Sequence, residues 1–482
     1  MIRIDDVTWT YPGADAPSLA ALALGIAPGE FVVLCGASGS GKSTALRLMN
    51  GLIPHFHEDG ALVGTVTVDG LIAADAELDA IGLRTGSVLQ HPRRQFFADT
   101  AAEEVAFAME NFGFERGLMR ARVSAALEEL ATAMPVEQPL QRLSGGQQQQ
   151  VAIAAASAHE PRVLLLDEPS SNLSADAVVR LTATLARLKA DGVTIVVAEH
   201  RLRYLQSLVD RVVVMRAGRI DRVWSAAEFR EVPDEELARE GLRGDVPTVT
   251  LPSIPASGAS VAGSTEPVAD APGVLVLANI RCRLGGRTVL DLERAAFPAG
   301  EVTAIRGANG AGKSTLARVV TGLQRSAGTA TLDGRVLSRM RRQRMSAIVM
   351  QDVQRQLFTD SVRAEIDLAG VPAPGSRGST AASTTAAVLA ALDLDHLAER
   401  HPHSLSGGQQ QRLVVAAVRL AGQRIVVFDE PSSGVDRRHL QSISDQIRGV
   451  AADGAVVLLI SHDEDLLALA ADRQLELIAP SR

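Results

Sequence analysis

Gly36-Ala37-Ser38-Gly39-Ser40-Gly41-Lys42-Ser43 follows the apolar run Phe31-Val32-Val33-Leu34-Cys35 and leads into Thr44-Ala45-Leu46-Arg47-Leu48-Met49. Gly-x-x-x-x-Gly-Lys-Ser between a strand and a helix is a phosphate-binding loop. Its glycines let successive backbone N–H groups curl around phosphate oxygens at a helix N-terminus. Lys42 then reaches the β- and γ-phosphates, and Ser43 ligates Mg2+. The stretch recurs as Gly307-Ala308-Asn309-Gly310-Ala311-Gly312-Lys313-Ser314, followed by Thr315. The 482 residues include 48 Lys and Arg, yet the only lysines are Lys42, Lys189 and Lys313. Two of the three fall in these loops, so a chance Gly-rich turn is a poor account of both.

Other stretches repeat with the loops. Leu143-Ser144-Gly145-Gly146-Gln147 returns as Leu405-Ser406-Gly407-Gly408-Gln409, and Asp167-Glu168-Pro169 as Asp429-Glu430-Pro431. His200 is matched by His462 at the same distance from its Asp-Glu pair. A repeat of this length is a duplicated domain, far longer than a solenoid unit. Domains are expected over 1–246 and 273–482. Between them Pro247 to Gly273 is rich in Pro, Ala, Ser, Gly and Val and holds no lysine or arginine, so 247–272 reads as a flexible linker. Each half reads as α/β. Val163-Leu164-Leu165-Leu166, Thr194-Ile195-Val196-Val197, Val426-Val427-Phe428 and Val456 to Ile460 have the apolar runs of buried parallel strands.

Composition excludes several classes. The net charge is −8, so the chain as a whole does not attract nucleic acid or an anionic membrane. No apolar run approaches the ~18–20 residues that span a bilayer, and the N-terminal residues lack a signal-peptide pattern. Cys35 and Cys282 are too far apart in sequence to read as a disulfide framework or a zinc site. The chain reads as cytosolic, reaching any membrane through a partner. His55, His57, His401 and His403 lack the further placed ligands that a metal site needs.

The apolar strand ending in Asp167-Glu168 supplies one acid to complete a Mg2+ shell and a second to deprotonate a water. Ser144-Gly145-Gly146, opening a helix, builds a second anion site from a hydroxyl and backbone N–H groups. Together these residues resemble the ABC ATPase family over nearly the whole chain outside the linker. The resemblance implies two tandem P-loop NTPase domains. Each would have a RecA-like α/β core, a small antiparallel β subdomain and an α-helical signature subdomain. It also implies a head-to-tail pairing in which each ATP lies between one P-loop and the other half's signature. In that reading ATP is held by Gly36, Ser38, Gly39, Gly41, Lys42, Ser43 and Thr44, and by Gly307, Asn309, Gly310, Gly312, Lys313, Ser314 and Thr315. The signatures are Ser144, Gly145, Gly146, Gln147 and Ser406, Gly407, Gly408, Gln409. Mg2+ is held by Ser43, Gln90 and Asp167, and by Ser314, Gln351 and Asp429. Glu168 and Glu430 look like general bases, and His200 and His462 like switch histidines on the γ-phosphate. Gln90 and Gln351 look like Q-loop residues touching Mg2+, the attacking water and a membrane partner.

Gln90 to Phe97, with Gln95-Phe96-Phe97, and Gln351 to Phe358, with Gln356-Leu357-Phe358, resemble the ATPases of energy-coupling factor transporters, importers of vitamins and transition-metal ions. That implies a transmembrane coupling protein, a substrate-binding membrane subunit, and a peripheral place on the cytoplasmic face of the membrane. The bland reading makes Phe96, Phe97, Leu357 and Phe358 core residues; exposed, they suit docking of a coupling helix. One rival is a twin-ABC ATPase acting on ribosomes or DNA, for which a basic helical arm or zinc-binding cysteines are expected. Another is a sugar-importer ATPase, whose second P-loop is commonly degraded.

Three positions depart from the pattern. Tyr11 sits where an aromatic stacks on adenine, and its counterpart is Leu284. Gln150 stands for the usual arginine, which Arg412 keeps; Ser174 stands for the aspartate kept as Asp436. In the head-to-tail pairing that the resemblance implies, Leu284, Gln150 and Ser174 would all fall on one composite site. The site of Lys42 and Ser406 is therefore expected to hydrolyse faster than that of Lys313 and Ser144.

Overall fold

Phe31–Cys35 is buried at every residue and runs inside a six-stranded sheet. Unbroken apolarity is what a parallel strand covered on both faces needs. The computed structural model describes residues 2–480 apart from 58, 91, 132–133, 172, 245–248, 255–271, 309, 351–352, 371–384, 406 and 433–436. The chain divides into two units, 1–245 and 246–482.

In the first unit the main sheet runs Arg219–Ser225, Arg211–Arg216, Phe31–Cys35, Thr194–Ala198, Val163–Asp167, Thr85–Val88. Only the first pair is antiparallel. In the second unit Ser346–Val349, Ile425–Asp429, Val456–Ile460, Val302–Arg306 and Arg473–Glu476 are all parallel. Each unit adds a four-stranded antiparallel sheet, Leu19–Ile26, Ile2–Thr10, Ala61–Val68, Leu71–Ile72 and Arg287–Pro298, Val274–Leu284, Ala327–Leu332, Arg335–Val336. In the first unit the two sheets close one core around the helix Lys42–Met49, joining Ile4, Trp9 and Leu24 to Val32, Leu46 and Val196. The opposite face of the main sheet packs against Gly145–Ser157 and Ala175–Ala190 through Ile153, Leu181 and Leu185.

Helices complete the third part: Ala101–Asn111, Arg116–Ala131 and Gly145–Ser157, then Val362–Ala369, Thr385–Ala391 and Gly407–Leu420. In the first unit they close a small core of Ala101, Leu130, Leu140 and Val151. Each half thus has the α/β core, antiparallel sheet and helical part expected. Among the described residues no helix is long and apolar enough to cross a membrane.

The linker reading needs a correction over its described part. Val249 N donates to Glu464 Oε2 at 2.9 Å, and Arg306 Nη2 donates to Val249 O at 3.1 Å. Gln474 N donates to Pro252 O at 2.9 Å, and Ile254 N donates to Gln474 O at 2.7 Å. Leu251 and Ile254 pack on the second unit's core. The segment covers the open edge of Arg473–Glu476, an edge that in the first unit is paired by Arg219–Ser225. An uncovered edge leaves N–H and C=O groups without partners, which is why this stretch binds. Lys189, outside the P-loops, ties Leu208 O and Asp210 to the end of its helix.

Candidate active site

Both P-loops begin where no side chain fits. Gly36 has φ +138°, and a Cβ there would lie 2.2 Å from Met215 O; Gly307 has φ +135° and would meet Leu477 O at 2.3 Å. The loops therefore lie directly on backbone of the neighbouring strand, and only glycine allows it. Lys42 is buried, donating to Gly36 O at 2.8 Å, Ala37 O at 3.0 Å and Ser40 Oγ at 3.4 Å. Lys313 donates to Gly307 O at 2.7 Å and Ala308 O at 3.3 Å, and burial lowers its pKa. Ser38 and Gly39 are exposed at the loop tip, as is Gly310; Asn309 lies outside the described residues.

The acids meet these loops from Val163–Asp167 and Ile425–Asp429, each one strand removed from the P-loop strand in its sheet. Ser43 Oγ donates to Asp167 Oδ1 at 3.0 Å, and Ser314 bonds Asp429. Burial, then the Glu168 charge, pushes the Asp167 carboxyl up to about 6, and burial raises Asp429. A carboxylate held up by burial next to a hydroxyl is a ready seat for a divalent cation, whose charge restores the ionised form.

Glu168 and Glu430 have φ +46° and +53°, left-handed for non-glycine residues. Such a backbone costs about 1–2 kcal/mol. Hydrogen bonds from Glu168 N to Ala198 O at 2.8 Å and from Glu430 N to Ile460 O at 2.9 Å help hold it. The turn delivers Glu168 to three partners: His200 Nε2 at 3.0 Å, Gln90 Nε2 at 2.8 Å and Ser171 Oγ at 3.1 Å. Burial pushes Glu168 up, but His200 and then Lys42 outweigh it and hold the carboxyl low. Glu430 instead accepts from His462 N at 3.3 Å and Ser461 Oγ at 3.4 Å, with the His462 ring at 3.9 Å. Burial pushes Glu430 up to about 7. Gln351 lies outside the described residues.

The signature helix Gly145–Ser157 opens with a reciprocal cap. Ser144 Oγ accepts from Gln147 N at 3.4 Å, and Gln147 Oε1 accepts from Ser144 N at 2.9 Å. The two expected nucleotide ligands thus also fix their own helix end. Gly146 packs on Ala177, where a Cβ would lie 2.7 Å away. Gly407, Gly408 and Gln409 open the second signature helix; Ser406 lies outside the described residues. Tyr11 is half-buried, its hydroxyl 3.3 Å from Thr44 Oγ1 and its ring edge-on to Trp9 and His57. Leu284 is exposed. Ser174 caps Ala175–Ala190 without a side-chain bond, Arg412 is buried, and Asp436 lies outside the described residues.

Each Phe/Leu-Phe pair is split. Phe96 packs against the core and Leu357 is buried, while Phe97 and Phe358 are 76% and 78% exposed. The core reading holds for the first of each pair only. Residues to which the sequence reading assigned no task, Gln95 and Gln356 of the quoted motif among them, build this display. Gln95 Oε1 accepts from Leu89 N and Gln356 Oε1 from Met350 N, both at 2.8 Å. Buried Glu104 accepts from Phe97 N and Ala98 N at 2.9 Å; buried Glu365 accepts from Phe358 N at 3.2 Å and Thr359 N at 3.1 Å. Gln148 Oε1 accepts from Arg93 Nε at 3.0 Å, and Gln410 Oε1 from Gln354 Nε2 at 3.1 Å, joining signature helix to displayed loop. The recurrence of these glutamines and glutamates in both halves was the available signal.

Residues 19–171 and 293–433 match the family model described as ABC transporter. An ABC transporter ATP-binding protein of Treponema denticola is 38% identical over 97% of this chain and 93% of its own length. One of Streptomyces coelicolor is 34% identical over 98% of this chain and 91% of its own. The solved RNase-L inhibitor superposes on 98% of this chain and 87% of its own with a TM-score of 0.60 at 21% identity, a likeness of fold alone.

Proposed function

The chain belongs to the ABC transporter family, an ATPase family, and we propose that it is the energy-coupling subunit of an importer of the energy-coupling factor type, taking up a vitamin or a transition-metal ion. In this reading two ATP molecules are hydrolysed, each held by one half's P-loop and the other half's signature. Ser43, Asp167 and Oε1 of Gln90 would offer the oxygen ligands that Mg2+ takes, and the ion would neutralise phosphate charge. Lys42 binds the β- and γ-phosphates. Glu168 accepts the proton of the attacking water, and His200 holds the γ-phosphate. Positioning and charge stabilisation are the main terms.

One observation carries the transport reading: both halves hold an exposed phenylalanine on a loop fixed by a buried glutamate, a few residues after the Q-loop. Rigid exposed aromatics are what a partner helix docks on. Phe97→Asp combined with Phe358→Asp is expected to lower the membrane-bound fraction about tenfold or more, the scale of lost hot-spot aromatics, while ATP binding stays. An unchanged membrane fraction, or wild-type chain that pellets with ribosomes instead, overturns the importer reading.

A further inference from the structure

The strand Thr194–Ala198 runs into a buried carboxylate, Glu199, whereas its counterpart Val456–Ile460 runs into Ser461. A buried charge without partners is strongly unfavourable, so what Glu199 binds shows what it is for. Its Oε1 accepts from His200 N at 2.7 Å and Arg201 N at 3.2 Å. Its Oε2 accepts from Tyr204 OH at 3.0 Å and Ser170 N at 3.3 Å. Burial, then the Glu199 charge, raises the Tyr204 pKa, so that hydroxyl keeps its proton to donate. One carboxylate thus joins the loop that carries His200 to the loop that leaves Glu168. Arg243 N holds the other side of the switch, donating to His200 O at 3.0 Å.

The second unit solves the same problem differently. Ser461 Oγ accepts from Asp463 N at 3.1 Å and donates to Glu430, and His462 N donates to Glu430 as well. The Tyr204 position is Leu466, which is buried and offers no donor. Glu430 itself holds the switch loop, its Oε2 taking both the His462 amide and the Ser461 hydroxyl. In the first unit Glu199 does that work, and Glu168 is left to the His200 ring, Gln90 and the Ser171 hydroxyl.

We propose that Glu199 is a positioning residue for hydrolysis: it holds the His200 loop by its amides, so that the Glu168 carboxylate stays aimed at His200 and Gln90. The inference rests on the reading of Glu168 and His200 as the groups that act on the attacking water and the γ-phosphate.

The test is steady-state ATPase of the full chain. Glu199→Ser, which copies the second unit, is expected to lower kcat about tenfold with KM for ATP held within about twofold. Glu199→Gln keeps an oxygen for the His200 and Arg201 amides and is expected to retain at least about half of kcat. If Glu199→Ser does not fold, Tyr204→Phe carries the test, with kcat lowered about threefold at constant KM. Unchanged kcat in the folded variant, or Gln rescuing no better than Ser, overturns the positioning role. Glu168→Gln separates the two levels. Turnover that survives it overturns the base assignment, whereas turnover lost there but intact in Glu199→Ser overturns the positioning role alone.

Discussion

Lys42→Ala lowers ATP turnover about 10²–10³-fold, the usual loss when an oriented charge donor is removed from phosphoryl-transfer chemistry. Lys42 is 5% exposed, and its ammonium is already aimed into the loop by Gly36 O, Ala37 O and Ser40 Oγ. Those acceptors are neutral. Anionic phosphate oxygens attract the ammonium more strongly than these neutral dipoles and displace them, so the lysine is preorganised at little cost. Lys42→Arg is expected to fail nearly as badly, because a planar five-donor fork does not replace a compact ammonium in an enclosed loop. That is a specific expectation in a chain that otherwise chooses arginine so consistently. Steady-state ATPase with a parallel nucleotide-binding measurement checks it. Turnover of Lys42→Ala within about twofold of wild type would falsify the role.

Glu168→Gln is expected to abolish most turnover, by about 10²-fold or more, while Glu430→Gln costs less than about tenfold. The geometry within each unit gives the reason. Glu168 meets His200 Nε2 at 3.0 Å and Gln90 Nε2 at 2.8 Å, the side chains proposed to meet the γ-phosphate and the attacking water. Glu430 faces the backbone amide of His462, with the imidazole at 3.9 Å. The changes at Leu284, Gln150 and Ser174 point the same way. Equal loss in the two variants would sink the asymmetry.

The P-loops, the Asp-Glu strand ends and the α/β class were legible because each is a local rule. A strand buried on both faces must be apolar throughout, as Val163–Asp167 and Val456–Ile460 nearly are, and a phosphate loop must be glycine-rich at fixed spacing. The duplication was legible for the same reason, since whole blocks recur in order. Val249 to Ile254 read as linker because nothing local distinguishes a tether from a strap. Its partners Glu464, Arg306 and Gln474 lie far along the chain.

The sequence alone determined what chemistry this protein carries, because nucleotide contacts are made by short contiguous motifs whose spacing sets their geometry. Only the tertiary structure decided which aromatic of each pair faces outward, which buried glutamate fixes its loop, and how Glu199 takes over the switch backbone from Glu168. Those outcomes depend on long-range pairs, Glu199 with Ser170 and Gln90 with Glu168 among them, and side-chain direction there is set by packing rather than by local pattern.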